Sequence, residues 1–252
     1  MSPTFTACLI MISSCAGLIL TLWLRARLPA HHEEDATRDL IKTATGMLAT
    51  LVALILGLLV SSAKGTFDTA AAELNQSGAQ IIHLNRTLVD YGPEAQPVRL
   101  LLQRNLAAVI ERIWPDPHAK AAPFAKDDAS AIQAVAAALR QLQPNDPAQK
   151  DLKARAESQL NSLAEGRWLL FEQMENPLPP MLLLVLGFWL FLLFVGLGLL
   201  APRNTTSVLA LLTCILSMSA AVFLILELNH PLDGLIKVSS GPLRAALVVV
   251  SR

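Results

Sequence analysis

The sequence predicts an all-α membrane protein with four transmembrane helices and a helical-bundle insertion between spans two and three. Of its 252 residues, 53% are apolar and only 16% are charged, which is too apolar for a soluble domain of this length. The apolar residues are concentrated in four nearly uncharged stretches, each long enough to cross roughly 30 Å of hydrocarbon. These predicted spans are residues 5–24, 40–62, 180–200 and 207–228.

Charge and cysteine content limit the kinds of partner that we expect. The basic and acidic residues balance at 20 each, and the bases form neither a run nor a face, so nucleic acid is not an expected partner. Cys8, Cys15 and Cys214 lie inside predicted spans, where a thiol behaves as a small apolar group. We therefore expect no disulfide framework, no cofactor, and the lipid bilayer as the main surroundings.

The loop after the first span contains residue types that bind divalent metals. His31, His32, Glu33, Glu34 and Asp35 are consecutive, so their side chains point in different directions, and no later segment supplies a matching cluster. A solvated connector is the favoured interpretation, and a pH-sensitive patch at headgroup level is the alternative. No metal site is predicted.

The second span carries small and hydroxyl-bearing residues at steps of three and four. At about 100° per residue they fall in one stripe, which we call the small-residue face. The small-residue face comprises Thr43, Gly46, Thr50, Ala53, Gly57, Ser61 and Lys64. It serves either close packing against another helix or one wall of a water-lined path with the lysine at its mouth. No proline occurs between Thr43 and Asn75, so one helix is predicted to leave the bilayer, with Asp68 and Asn75 on the same face.

Helical spacing continues through the polar insertion. Phe67, Leu74, Ile81 and Leu88 are spaced by sevens and form a seam like that of a coiled coil, which favours assembly. Turn residues then divide the insertion into three more helices, which end near residues 114, 142 and 174. The predicted domains are residues 1–63 (spans one and two), 64–178 (a soluble bundle of about four helices), 179–228 (the hairpin of spans three and four) and 229–252 (an interfacial tail). The apolar part of this tail is expected to lie at the interface or against the soluble helices.

The end of the fourth span carries Glu227, the one ionisable side chain at the edge of an otherwise apolar span. Charge at such a position is costly, so the residue is a functional candidate. It either anchors the helix at the interface, by reaching water or by bonding to the next turn, or takes part in permeation. That turn contains His230, Pro231 and Gly234, which complete the candidate residues of this region.

The same region resembles a known family. Residues 227–234, Glu-Leu-Asn-His-Pro-Leu-Asp-Gly, resemble the closing signature of a bacterial family of four-span proteins of unknown function that is classed as bestrophin-like. The family usually has an acid where Asn229 stands and an aromatic residue where Leu232 stands. Further matching positions are Ile236, Val238, Pro242 and Leu243, residues 57–62, Arg167 and Trp168, and residues 201–204.

The resemblance implies a mode of action. Bestrophins are pentameric anion channels whose second span lines the pore, so it implies a homo-oligomer, small anions as permeants, and the small-residue face as the pore wall. The acidic calcium-binding cluster that some channels of that class carry does not occur in this sequence.

Enzymatic chemistry has no support in the sequence. It contains no glycine-rich phosphate loop, no serine elbow and no zinc-binding histidine pair, and His83 and His118 are isolated. The leading hypothesis is passive permeation of an anion, with no enzymatic activity. The alternative is a membrane scaffold or sensor whose helical insertion binds a partner and transports nothing.

The basic residues near the spans bear on orientation. The first span is basic only at its far end, which predicts an external N-terminus and a periplasmic helical insertion in a multi-pass protein of the bacterial inner membrane. A bestrophin-like arrangement would place the insertion in the cytoplasm.

Overall fold

The computed structural model describes residues 3–27, 35–115, 129–175, 179–202 and 204–251, which form helices and connecting turns without any strand. This confirms the predicted all-α class. A short 3-10 helix, Pro93–Ala95, precedes the third α-helix. The α-helices are α1 Pro3–Arg27, α2 Asp35–Tyr91, α3 Gln96–Ile113, α4 Ala129–Arg140, α5 Pro147–Glu175, α6 Pro180–Leu200, α7 Thr205–Leu228 and α8 Gly241–Val250.

Four of the described helices, α1, α2, α6 and α7, are long and apolar enough to cross a membrane. They agree with the four predicted spans, and α6 has the predicted bounds. Pro180 opens α6 because the first amides of a helix have no partner inside the helix, so proline costs nothing there. Asn204 precedes α7 as its N-cap, and its side-chain oxygen accepts a hydrogen bond of 2.8 Å from the backbone nitrogen of Ser207.

The chain divides into two compact units. The first, which we call the membrane unit, comprises Met1–Gly65 and Pro177–Asn229. In it α1 packs against α6 and α7, and α6 packs against α7. All four apolar helices contribute buried side chains to one cluster, among them Leu18, Val52, Phe194 and Val222. Lipid tails are as apolar as leucine, so this unit depends on close fit between helices.

The second unit, which we call the helical unit, comprises Thr66–Asn176 and His230–Arg252. Here α3 packs against α4 and α8, and α4 packs against α5. Leu84, Leu88 and Leu139 are each 1% exposed. Burial of one such side chain stabilises the folded state by about 2 kcal/mol, so this unit has an ordinary apolar core.

The seam of sevens belongs to that core. Leu74, Ile81 and Leu88 are buried in the helical unit, and Phe67 packs against the same cluster while partly exposed. The prediction that this seam favours assembly is therefore wrong, because the chain covers it with its own helices.

The segment after α7 also packs into the helical unit. The apolar tail was expected at the interface or against the soluble helices, and the structure has the second arrangement. Residues 241–250 form α8, whose Leu243, Ala246 and Val250 are buried in the core of this unit. A Cβ atom added at Gly78 of α2 would lie 2.9 Å from the carbonyl oxygen of Pro242, so α8 approaches α2 closely.

Two side chains attach the segment before α8 to the end of α3. The indole nitrogen Nε1 of Trp114 donates to the carbonyl oxygen of Val238 at 2.9 Å. Nζ of Lys237 donates to the carbonyl oxygen of Ile113 at 3.1 Å. These bonds fix residues 237–238 against the last turn of α3.

Candidate functional site

The helix that carries the small-residue face is continuous. α2 is a single α-helix of 57 residues, and its helical backbone runs without a break through residues 62–65. This confirms the prediction that the second span continues as a helix beyond its apolar part.

In its apolar part α2 has a buried face that belongs to the core of the membrane unit. At 3.6 residues per turn, this face lies roughly 130° around the helix from the small-residue face. Its members are Thr45, Val52, Leu56, Leu59 and Ala63.

The small-residue face is exposed along its whole length. Thr43, Gly46, Thr50, Ala53, Gly57, Ser61 and Lys64 are all exposed in the single chain. A Cβ atom added at Gly46 or at Gly57 would meet no atom within 4 Å. The small-residue face therefore does not pack against any described helix of the same chain.

The threonine hydroxyls of this face are oriented by their own helix. Oγ1 of Thr43 donates to the carbonyl oxygen of Asp39 at 2.9 Å, and Oγ1 of Thr50 donates to that of Gly46 at 3.0 Å. Because each proton points back to the backbone, each oxygen presents acceptor lone pairs to its surroundings. Water can donate to these oxygens, whereas an anion gains nothing from them in this rotamer.

Small residues elsewhere in the membrane unit do pack. A Cβ atom at Gly17 of α1 would lie 2.8 Å from the carbonyl oxygen of Phe191, and one at Gly198 of α6 would lie 2.9 Å from Cγ2 of Thr21. One at Gly196 would overlap Oγ1 of Thr45. These glycines are the close-packing sites of the unit, and sequence reasoning identified neither Gly17 nor its opposing residues.

A hydrogen bond reinforces the contact between α1 and α6. Oγ1 of Thr21 lies 3.1 Å from the carbonyl oxygen of Val195 across the interface and 3.0 Å from that of Gly17 in its own helix. Thr21 is fully buried. Absence of a side chain at Gly198 leaves room for Thr21 against α6.

A third face of α2 separates the small-residue face from the buried face on the longer way around the helix. We call it the large apolar face. Its side chains are 48–69% exposed, and it lies roughly 90° from the small-residue face at 3.6 residues per turn. It suits contact with lipid or with another chain. Its members are Leu40, Met47, Leu51, Leu54 and Leu58.

Glu227 and the turn after it are less open than the sequence suggested. Glu227 is only 3% exposed, so the interpretation that its carboxylate reaches water at the interface is not supported. In the following turn Pro231 is buried, while His230 and Gly234 are half-buried. The backbone nitrogen of Gly234 donates to the carbonyl oxygen of His230 at 2.9 Å, which closes the turn.

The other residues singled out in the sequence add no site. Residues 31–34 of the histidine and carboxylate cluster, and His118, lie outside the described residues. Within the described ranges, no group of three or more histidine, cysteine or acidic side chains is placed to hold a metal ion. His83 is exposed, and Cys8, Cys15 and Cys214 are free thiols.

Comparison with known proteins adds a family and a fold. The family model of the bestrophin-like domain matches residues 12–243. No curated protein sequence matches the chain. Crystal structures of three mutants of a bacterial bestrophin homologue from Klebsiella pneumoniae are similar in fold.

The structural likeness extends over whole chains. The first of these structures is 14% identical, covers 99% of this chain and 98% of its own, and has a TM-score of 0.65. The second is 15% identical with a TM-score of 0.64 and covers 99% of this chain and 96% of its own. The third is 15% identical with a TM-score of 0.61 and covers 99% of both chains. At these identities the likeness concerns the fold.

Proposed function

The chain belongs to the bestrophin-like family, and from that premise we propose that copies of it assemble into a membrane channel for small anions. In this proposal the small-residue faces of several α2 helices surround a water-filled path. The proposal assigns the chain no catalytic step and no cofactor.

One observation carries the proposal: the small-residue face is exposed along an apolar helix that is buried on another of its faces. Every member from Thr43 to Lys64 is exposed, and Gly46 and Gly57 face open space. Small residues at a lipid-facing surface bring no packing advantage, whereas in a ring of helices they leave room for hydrated ions. The large apolar face then faces lipid or a neighbouring copy.

The preference for anions rests on charge at one end of this face. Lys64 is exposed and follows Ser61 by one turn, so its ammonium group would attract anions toward the mouth of the path. Asp68 is also exposed, on the same face one turn later, and opposes this attraction. We therefore expect Lys64→Glu to shift the ratio of chloride to sodium permeability toward sodium.

Flux measurement in liposomes tests the proposal. Purified protein is reconstituted, and chloride efflux is compared between the unmodified chain, Gly57→Leu and Ala44→Leu. Ala44 is exposed on the same helix but off the small-residue face. Leucine at position 57 is expected to reduce flux at least roughly tenfold because it fills the path, and leucine at position 44 is expected to leave flux unchanged.

The alternative function gives a different result. A scaffold or sensor that transports nothing would assemble into the same oligomer and give no chloride flux above that of empty liposomes. That result, with the oligomer verified by native mass spectrometry, would refute the channel proposal.

We also propose that the chain resides in the bacterial inner membrane with the helical unit in the periplasm. The basic flank after the first span supports this orientation. In a variant that lacks Cys8, Cys15 and Cys214, a cysteine at the exposed position Ala137 is expected to react with an impermeant maleimide in intact cells. Labelling only after lysis would support the cytoplasmic arrangement.

A further inference from the structure

A cavity of about 120 Å³ lies inside the helical unit. Its walls are formed by side chains of α2, α3, α4, α5 and α8 and of the turn between α7 and α8. Most of the described lining side chains are buried, and none of them is exposed. The cavity is therefore part of the interior of this unit, where five helices and one turn meet.

The lining of this cavity is mostly aliphatic. Among the described residues that form it, only Ser77, Asn105 and Arg167 have polar side chains. The others are all alanine, valine, leucine or isoleucine. Such walls offer an occupant many dispersion contacts and few hydrogen bonds.

The polar lining residues provide no free charge for an occupant. Arg167 already has an interaction partner within the protein. Nδ2 of Asn105 donates to the carbonyl oxygen of Ala131 at 2.9 Å, which joins α3 to α4, and the serine side chain is neutral. A charged ligand would lose its hydration here without gaining an opposite charge, which is costly. The occupant that fits these walls is therefore uncharged.

The volume of the cavity limits the size of the occupant. Protein interiors are close-packed, and side chains around a void lose the contacts that its missing atoms would supply. Water fills a cavity stably only where it finds two to four polar partners. An engineered apolar cavity of about 150 Å³ stays dry and binds benzene. At about 120 Å³, this one has room for roughly four to six carbon atoms.

We infer that this cavity is a binding site for a small uncharged apolar molecule, about as large as a benzene ring. Bound there, the molecule contacts Leu232 and Leu243, which belong to the segment after α7, together with side chains of α2 to α5. A ligand that binds only the folded arrangement stabilises it. Occupancy therefore strengthens the packing of this segment in the helical unit. The inference does not depend on ion permeation.

Methyl NMR of the full chain in lipid nanodiscs tests the inference, with benzene as the probe. Leucine and valine methyl groups are isotope-labelled and assigned, so a response is attributed to a position even though benzene also dissolves in lipid. Benzene is expected to shift the signals of Leu102, Val135 and Leu243 saturably, because these residues line the cavity. The signals of Leu84 and Leu88, which are buried in the same unit but do not line the cavity, are expected to stay unchanged.

Competition on the same sample tests the exclusion of charge. Pentane and butylammonium have the same number of non-hydrogen atoms and differ in charge, and butyrate supplies the opposite charge. Pentane is expected to displace benzene from the cavity. At equal aqueous concentration, both ions are expected to compete at least roughly tenfold more weakly, because neither finds a free opposite charge.

Two matched variants locate the site independently. Ala131→Phe places an aromatic ring at the cavity wall and is expected to abolish the saturable shifts. Ala137→Phe adds the same ring at an exposed position of the same helix and is expected to leave them unchanged.

Several results would overturn the inference. They are the absence of saturable shifts at the lining methyl groups of the unmodified chain, equal shifts at Leu84 and Leu88, equal competition by butylammonium and pentane, or undiminished shifts in Ala131→Phe. The first three are measured on the unmodified chain, so a folding defect in Ala131→Phe would leave the inference open to refutation.

Discussion

Glycines in two regions of the membrane unit have opposite surroundings. In α1 and α6, Gly17, Gly196 and Gly198 face neighbouring helices so closely that a methyl group would overlap them. In α2, Gly46 and Gly57 face open space. The first group is necessary for helices of one chain to meet, and the second leaves a surface that the single chain does not use. The comparison shows that a small residue in a span has no fixed role, because the role depends on what lies opposite.

The largest expected effect is a difference in stability between leucine variants of the two groups of glycines. Gly196→Leu forces a large side chain into the contact with Thr45 and is expected to destabilise the protein by more than about 3 kcal/mol. Gly57→Leu extends into open space and is expected to change stability by less than about 1 kcal/mol. Thermal unfolding of both variants in nanodiscs measures the difference, and equal loss of stability would contradict the comparison.

A smaller effect tests which atoms are in contact at Gly196. Gly196→Ala is expected to cost about 1–3 kcal/mol, because its methyl group meets Oγ1 of Thr45. Thr45→Ala removes that oxygen, and the nearest remaining atom of residue 45, its Cβ, would lie 3.3 Å from the new methyl group.

The double variant is therefore expected to regain most of the loss, which appears as a favourable coupling energy in a double-mutant cycle. Additive losses would show that Thr45 is not what limits the size of residue 196.

The smallest effect concerns the hydrogen bond between α1 and α6. Thr21→Val removes the donor to Val195 and is expected to cost about 0.5–1.5 kcal/mol, the range of a hydrogen bond between membrane helices. Thr213→Val is the matched control, because Oγ1 of Thr213 is exposed and bonds only to Leu209 of its own helix. If the unfolding temperature falls equally in both variants, the hydrogen bond from Thr21 to Val195 contributes no more to stability than a bond within one helix.

The spans were readable from sequence because length and absence of charge suffice to identify them. The predicted third span, residues 180–200, coincides with α6, and the proline at its start marks the first turn. The continuity of α2 was predicted from the absence of proline between residues 43 and 75. Both features are local properties of the chain.

The roles of individual faces were not readable. Thr43 and Thr45 are two residues apart and of the same type, yet Thr43 is exposed and Thr45 is buried against Gly196. Periodicity gives the angle between two residues and not the identity of the neighbouring helix. The seam from Phe67 to Leu88 was misassigned for the same reason, since a stripe of sevens packs equally well against the chain's own helices.

The last helix was missed for a different reason. Residues 239–242, Ser-Ser-Gly-Pro, have the composition of a turn, but proline in a first turn also begins a helix, and α8 starts at Gly241. Its stability comes from burial of Leu243, Ala246 and Val250 in the helical unit. The residues that α8 contacts are far from it in sequence, so no local sequence pattern predicts this packing.

A cysteine scan along α2, from residue 43 to residue 64 in a background without the native cysteines, tests whether the small-residue face lines a water-filled path. Each variant is reconstituted in liposomes, and chloride flux is measured before and after a water-soluble thiol reagent. If the small-residue face lines the path, the reagent reduces chloride flux at positions 46, 50, 53, 57 and 61 and leaves it unchanged at positions 47, 51, 54 and 58. Uniform protection of all positions, or inhibition confined to the large apolar face, would contradict this arrangement.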